Sequence, residues 1–236
     1  MQSAPFQPVA DFVVNEFRRS YECVGMIKAL LLMLNATTWD RLAQARRGVA
    51  FICVSYLLPL LLIISAVEGA GLVHWGKWQS GVAVVKKFVV GEAILYEIAQ
   101  LLLTLAVVFV CAHLVKILGE TFHDRHSYTQ AFTVVAYTLC PVFLLRLLDV
   151  FPTMNPWVPW AIGIVFSVWI FYQGLPRVMK PDPSHAFELY VISSMILVAT
   201  TGLVRTLTAL CLRGRVDFEH SYLGTRILQV LAHLHI

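Results

Sequence analysis

Five stretches of this chain run for about the width of a bilayer without a charged side chain. Arg47 and Glu68 bracket the first, Glu97 and Lys116 the second, Arg125 and Arg146 the third, and Asp149 and Arg177 the fourth. The fifth begins after Glu188 and is interrupted only by Arg205 before Arg213. A helix crosses the hydrocarbon core with about 20 mostly apolar residues, and a soluble domain does not repeat such runs. The pattern therefore predicts an all-α, polytopic membrane protein, a bundle of about five transmembrane helices over 48–67, 93–115, 131–150, 157–176 and 188–212. In this division 1–47 is a cytoplasmic or interfacial N-terminal segment, 48–212 is the five-span membrane domain, and 213–236 is an external amphipathic tail.

Composition leaves no stretch for a separate soluble domain: of 236 residues 58% are hydrophobic and 14% charged, with mean hydropathy +0.74. Cys23, Cys53, Cys111, Cys140 and Cys211 stand apart in apolar surroundings with no C-x-x-C spacing. That spacing argues against a disulfide framework or a thiolate metal site, and they read as small hydrophobes. The apolar stretch Val24 to Leu34 is short, follows a long leader and is interrupted by Lys28, so it makes a poor secretory signal and the N-terminal segment is expected to stay attached.

Lysine and arginine set the expected orientation. Arg18, Arg19, Lys28, Arg41, Arg46 and Arg47, with Lys116, Arg125, Arg177 and Lys180, share one side of a five-span chain; Lys77, Lys86, Lys87, Arg213, Arg215 and Arg226 share the other. The first set is richer and includes the dense cluster before span one, which places the N-terminus in the cytoplasm and the C-terminus outside. Pro59 and Pro141 each fall inside a span and should kink it where neighbours satisfy the freed carbonyl. The stretch FPTMNPWVPW makes a tight connector with Trp157 and Trp160 at headgroup depth, and Trp75 and Trp78 serve the same purpose in the first outer loop.

Ahead of the spans, Phe17, Tyr21, Val24, Ile27, Leu31 and Leu34 fall on one helical face, with Arg18, Arg19, Glu22 and Lys28 off it. Such a helix lies flat on the cytoplasmic leaflet or packs as a buried segment; in neither case does it cross. Thr37 and Asp40 then signal the start of a second short helix through Arg47.

The stretch Leu118 to Pro152, followed by Trp169 to Pro181, resembles the Yip1-domain proteins, particularly their bacterial branch. The similarity rests on Ser127-Tyr128-x-Gln130, on Tyr137-Thr-Leu-x-Pro141 in span three, on Tyr172-x-Gly174-Leu-Pro176 closing span four, and on IKALLLMLNATTWDRL before span one. It covers about residues 26 to 212. The resemblance implies a five-helix bundle with a cytosolic N-terminus. Eukaryotic members act in vesicle trafficking and bind prenylated Rab GTPases, but the Asp-Leu-Tyr-Gly-Pro motif and long polar N-terminal region of those members are absent here. What carries over is an architecture.

The ionisable residues near one membrane face form the candidate site. Glu68 ends span one, Glu92 and Glu97 begin span two, Arg146 and Asp149 end span three, and Arg205 lies late in span five. Charges at such depth face the protein interior or pair. Glu97, Gln100 and Thr104 share a helical face, as do Ser194, Thr201, Arg205 and Thr208, and Glu97 is the expected partner of Arg205 by depth. The candidate buried polar cluster is therefore Glu97, Gln100, Arg146, Asp149 and Arg205. It is either a pocket for an ion, solute or lipid headgroup, or a structural ion pairing between helices.

Other chemistry is not supported by the residues present. His123, Asp124 and His126 have metal-like spacing but fall in a turn with no completing ligand, so no metal and no cofactor are expected. There is no G-x-S-x-G, H-E-x-x-H, P-loop or dinucleotide fingerprint, and Glu92 and Glu97 lie off a common face, so no enzyme is expected. Basic residues are scattered beside the spans, which points to anionic lipid and not nucleic acid. The remaining classes are a non-catalytic scaffold, adaptor or accessory subunit of a membrane complex and, alternatively, a transporter or channel-like subunit; against the latter, no broken helix, no inverted repeat of spans and no continuous polar stripe is legible. Beyond the resembling region, Leu223, Ile227, Val230, Leu231 and Leu234 fall on one face of a tail helix too short to span, a candidate docking face for a protein partner or a second copy.

Overall fold

In a computed structural model, residues 36–45, 47–78, 85–121, 127–151 and 153–212 are described. A short helix, α1 (Ala36–Ala45), precedes five that are long and apolar enough to cross a membrane: α2 (Val49–His74), α3 (Val90–Thr121), α4 (Tyr128–Val150), α5 (Trp157–Val178) and α6 (Ala186–Leu212). The expected amphipathic helix before Asn35, the His123–His126 group and the tail face from Leu223 to Leu234 lie outside the described residues. Lys77–Trp78 pairs antiparallel with Val85–Lys86, so the first connection is drawn together at its base.

The helices run past several expected span ends. Glu68 was expected to close span one, but α2 continues to His74 and holds Glu68 inside it, 1% exposed. A charge stops a membrane helix only when it must stay in water, and this one is paired. The 32 residues of α3 make it about 48 Å long at 1.5 Å per residue, more than the roughly 30 Å hydrocarbon layer, so this helix tilts or projects.

α4 is the central helix. It has 67% of its apolar window buried within the bundle, against 22–44% for the other four spans, and it packs on α2, α3 and α5. Its start is a capping box: Ser127 Oγ accepts from Gln130 N–H at 3.3 Å, and Gln130 Oε1 accepts from Ser127 N–H at 3.0 Å. Gln130 Nε2 also donates to the Val178 carbonyl at the end of α5, 3.3 Å away.

Pro141 interrupts α4. Its missing N–H leaves Tyr137 C=O without the usual donor, and α-helix stops at Thr138 and resumes at Cys140. Leu139 N–H to Val135 O and Phe143 N–H to Leu139 O, both 3.1 Å, hold the two pieces in line. The last turn, Arg146–Val150, is 3-10 helix. In α2 a π-helical segment, Cys53–Leu57, immediately precedes Pro59 and absorbs the corresponding defect.

Side chains facing outward are large and apolar, with Leu102, Val165, Trp169, Met195 and Leu203 all more than half exposed, as lipid-facing positions require. The core between helices holds Phe132, Phe171, Leu60, Leu61, Ile64 and Leu175. At the end of the bundle that carries α1, Trp39 is buried against α5. A Cβ on Gly174 would lie 2.7 Å from two ring carbons of Trp39, so only glycine admits the indole there.

Candidate functional site

At the opposite end, the one bearing the 75–89 and 151–156 connections, the charged residues converge. Three spans first bring acids and a base together. Arg146 Nε donates to Glu68 Oε2 of α2 at 2.6 Å, and Arg146 Nη2 donates to Glu97 Oε2 of α3 at 3.3 Å. The close approach of α2 to the end of α4 that makes this possible depends on Gly71, whose Cβ, if present, would stand 2.8 Å from Val150 Cγ1 and 3.3 Å from its Cα.

A second pairing adjoins the first. Arg205 Nη2 of α6 donates to Asp149 Oδ2, and Arg205 also caps the connection before α5, with Nε and Nη2 donating to Pro156 O at 3.0 and 2.5 Å. Lys77 Nζ, only 7% exposed, donates to Asp149 O at 3.1 Å. Arg146 and Asp149 are the two buried residues of the 3-10 turn. With three residues per turn, positions three apart eclipse, so a single turn presents both groups to the interior.

The expected pair of Arg205 with Glu97 is not formed; Arg205 meets Asp149, and Glu97 meets Arg146. Position along the sequence put all four residues near one membrane face, but the rotation of each helix decides which partner is faced. Glu92, also expected in this region, instead accepts from Val89 N–H at 3.4 Å in an exposed first turn of α3. Two members went unrecognised: Lys77, read as a loop charge, and the Pro156 carbonyl. No sequence periodicity governs either, since both sit in connections.

The six charged side chains Glu68, Lys77, Glu97, Arg146, Asp149 and Arg205 are each at most 8% exposed. Fully ionised, three acids and three bases sum to zero. Such burial is tolerable because each charged side chain finds at least one hydrogen-bonding partner, although Glu97 Oε1 and Asp149 Oδ1 have none among the described residues; breaking one pair leaves an uncompensated ion. The neighbouring faces are polar and buried as well: Gln100 and Thr104 continue Glu97 along α3, and Thr201 and Thr208 flank Arg205 on α6. Thr104 Oγ1 donates to Gln100 O at 2.7 Å and Thr201 Oγ1 to Leu197 O at 2.7 Å, while Gln100 Oε1 finds no partner among the described residues.

Among the described residues no group of three or more His, Cys, Asp or Glu is placed to hold a metal ion. Cys111 Sγ lies 2.8 Å from Thr200 Oγ1 and, like Cys140, is buried as a free thiol.

A family model, the Yip1 domain, matches residues 30–205, a range that takes in α1, the first four spans, most of α6 and every member of the charged cluster. No curated protein and no solved structure matches the chain.

Proposed function

The chain belongs to the Yip1-domain family, and from that premise we propose that it acts as a non-catalytic integral membrane scaffold, adaptor or accessory subunit of a membrane complex. One observation carries this reading. All the buried charged side chains among the described residues lie at one end of the bundle, and the arginines there are spent on pairing helices to one another. Ion or solute transport calls for charged or polar groups in series across the membrane and for a structure that reopens on the other side. Here the opposite end is closed by Trp39 against Gly174, and the intervening core is dominated by Leu and Val with Ile and Phe.

The orientation that goes with this role has the N-terminus in the cytoplasm, from the lysine and arginine distribution, in a bacterial inner membrane. The partners are membrane lipids and a protein partner or second copy, with no nucleic acid. Purification of the full-length chain in mild detergent, followed by mass determination, tests the role. A stable complex is expected; a lone chain whose thermal midpoint moves with added ions would support a transporter or channel-like subunit instead.

A further inference from the structure

Where α5 packs against α6, Val165, Trp169 and Met195 stand 67%, 62% and 66% exposed. An apolar surface suits lipid, but Trp169 is out of place on one. It lies twelve residues from the start of α5 and nine from its end, which at 1.5 Å per residue is about 18 and 14 Å from the two ends, near the middle of the bilayer. Tryptophan belongs at headgroup level, where Trp157 and Trp160 stand in the first turn of α5, because its ring is apolar and its N–H is polar. In mid-membrane a large exposed indole marks a surface made for protein.

Beside it runs an almost wholly apolar groove of about 440 Å³, open to the bilayer along one side and formed by Val168 of α5 with Tyr190, Val191, Met195, Val198 and Ala199 of α6. Its volume is that of a small-ligand pocket, ample for an indole. Tyr172, also 62% exposed, meets Tyr190 edge-on with ring centres 5.2 Å apart, which ties the strip of Val165, Trp169 and Tyr172 to the rim of the groove. Knob and hole thus share one face.

Two copies inserted the same way mate such a face about a two-fold axis along the membrane normal, so a knob enters only a hole at its own depth. The depths match. Trp169 lies nine residues before Val178, and Met195 nine after Ala186, these being the ends of α5 and α6 nearest α1. A half-turn therefore brings each Trp169 level with the middle of the other copy's groove, where Met195 offers a sulfur to the ring.

We propose that the α5–α6 face is the contact between two copies of this chain, with Trp169 of each seated in the groove of the other. This names the second copy as the partner in the reading above and rests on that reading. At about 150–250 Å² for a whole aromatic side chain, Trp169 and Tyr172 offer roughly 200–300 Å² per copy. Val165, Met195 and Val198 add to this, but the face stays short of the roughly 800 Å² per partner of a stable interface. The apolar tail face from Leu223 to Leu234, which follows α6 in the chain, supplies the remainder.

The test uses full-length chains in phospholipid vesicles, with donor or acceptor fluorophores fused before Met1 and energy transfer followed as lipid dilutes the protein. The natural chain should show transfer that fits a dimer. Trp169→Leu removes the knob and Ala199→Trp fills the groove; each should raise the dissociation constant at least about tenfold. Leu102→Ala, at an exposed position of α3, should leave it unchanged. Trp169 and Ala199 are exposed in the single chain, so neither change disturbs the core. Register is read separately by mixing chains carrying Trp169→Cys with chains carrying Met195→Cys, which leaves one of the two seats natural. Oxidation should link the mixture well above either chain alone and above the natural chain, whose own cysteines set the background. No transfer in the natural chain, which would leave the groove to lipid, overturns the proposal. So does undiminished transfer in Trp169→Leu and Ala199→Trp, or a mixture that links no better than its components. Association that survives both substitutions leaves the scaffold reading standing, and a chain that never meets its own copy leaves that reading to the mass determination above, so the two fail separately.

Discussion

Arg205 shows what a buried charge demands of its surroundings. Its guanidinium is satisfied by one carboxylate and one carbonyl from two different segments, Asp149 and Pro156, and removing it strands an acid at 1% exposure. Arg205→Ala should therefore destabilise the bundle by about 3–5 kcal/mol. In a detergent unfolding assay, Arg205→Ala with Asp149→Ala should cost less than the sum of the single changes by about 0.5–3 kcal/mol, whereas Arg205→Ala with Glu97→Ala should come close to additive. The reverse pattern would reinstate the Glu97 pairing and refute the arrangement described. The sequence made Glu97, Gln100 and Thr104 legible as one face because 3.6-residue periodicity is a property of a single helix. Partner choice was illegible because it depends on rotation between helices, which no local pattern encodes, and Glu68 was misplaced because its charge was taken as a span boundary.

Among the elements, α1 tests whether a non-spanning helix is part of the fold. Its anchor is Trp39 seated on Gly174, with the exposed Asp40 to Arg177 contact at 4.0 Å adding little. Gly174→Ala should cost about 1–3 kcal/mol by overpacking. Trp39→Ala should cost about 3–5 kcal/mol and expose the Asn35 to Arg47 region to protease before the spans are touched. If both variants unfold at the midpoint of the natural chain, α1 is an ornament and not part of the packing. A short helix near Thr37 and Asp40 was legible, but it begins at Ala36, so Thr37 lies inside it and not at its cap; the breaks in α4 and α2 were visible from Pro141 and Pro59. The form each break takes, a one-residue gap in one helix and a π-helical segment in the other, was not, since neighbouring helices decide how a freed carbonyl is accommodated. The sequence elements shared with the family likewise acquire local meanings: Ser127 and Gln130 cap α4, Pro141 breaks it, and Gly174 receives Trp39.

For the molecule as a whole, span count was legible because apolar runs of bilayer length have no other use, and sidedness rests on charge alone. A reporter fused before Met1 should be cytoplasmic and one fused after Ile236 external; both ends on one side would mean an even number of crossings. Deleting residues 217–236 should leave the five-span bundle folded and abolish association with a partner or second copy. A truncated form that melts far below a strictly monomeric natural chain would instead make the tail part of the bundle's own packing.

The separation in sequence between paired charges has a consequence for how this protein is made. Glu68 precedes Arg146 by 78 residues, Glu97 precedes it by 49, and Asp149 precedes Arg205 by 56. At about 5–20 residues per second of synthesis, Glu68 waits roughly 4–16 s for its counter-ion to leave the ribosome. Throughout that interval the first two spans carry acids that lipid will not accept ionised, so they must remain in the insertion machinery, near the interface, or protonated. The 3-10 turn of α4 ends the wait for both acids at once and opens a second one for Asp149. Nascent chains halted long enough to expose Val150 should accordingly resist alkaline extraction from membranes, and chains halted with only Leu145 exposed should be extracted, which makes the five residues Arg146–Val150 of α4 the commitment point of biogenesis.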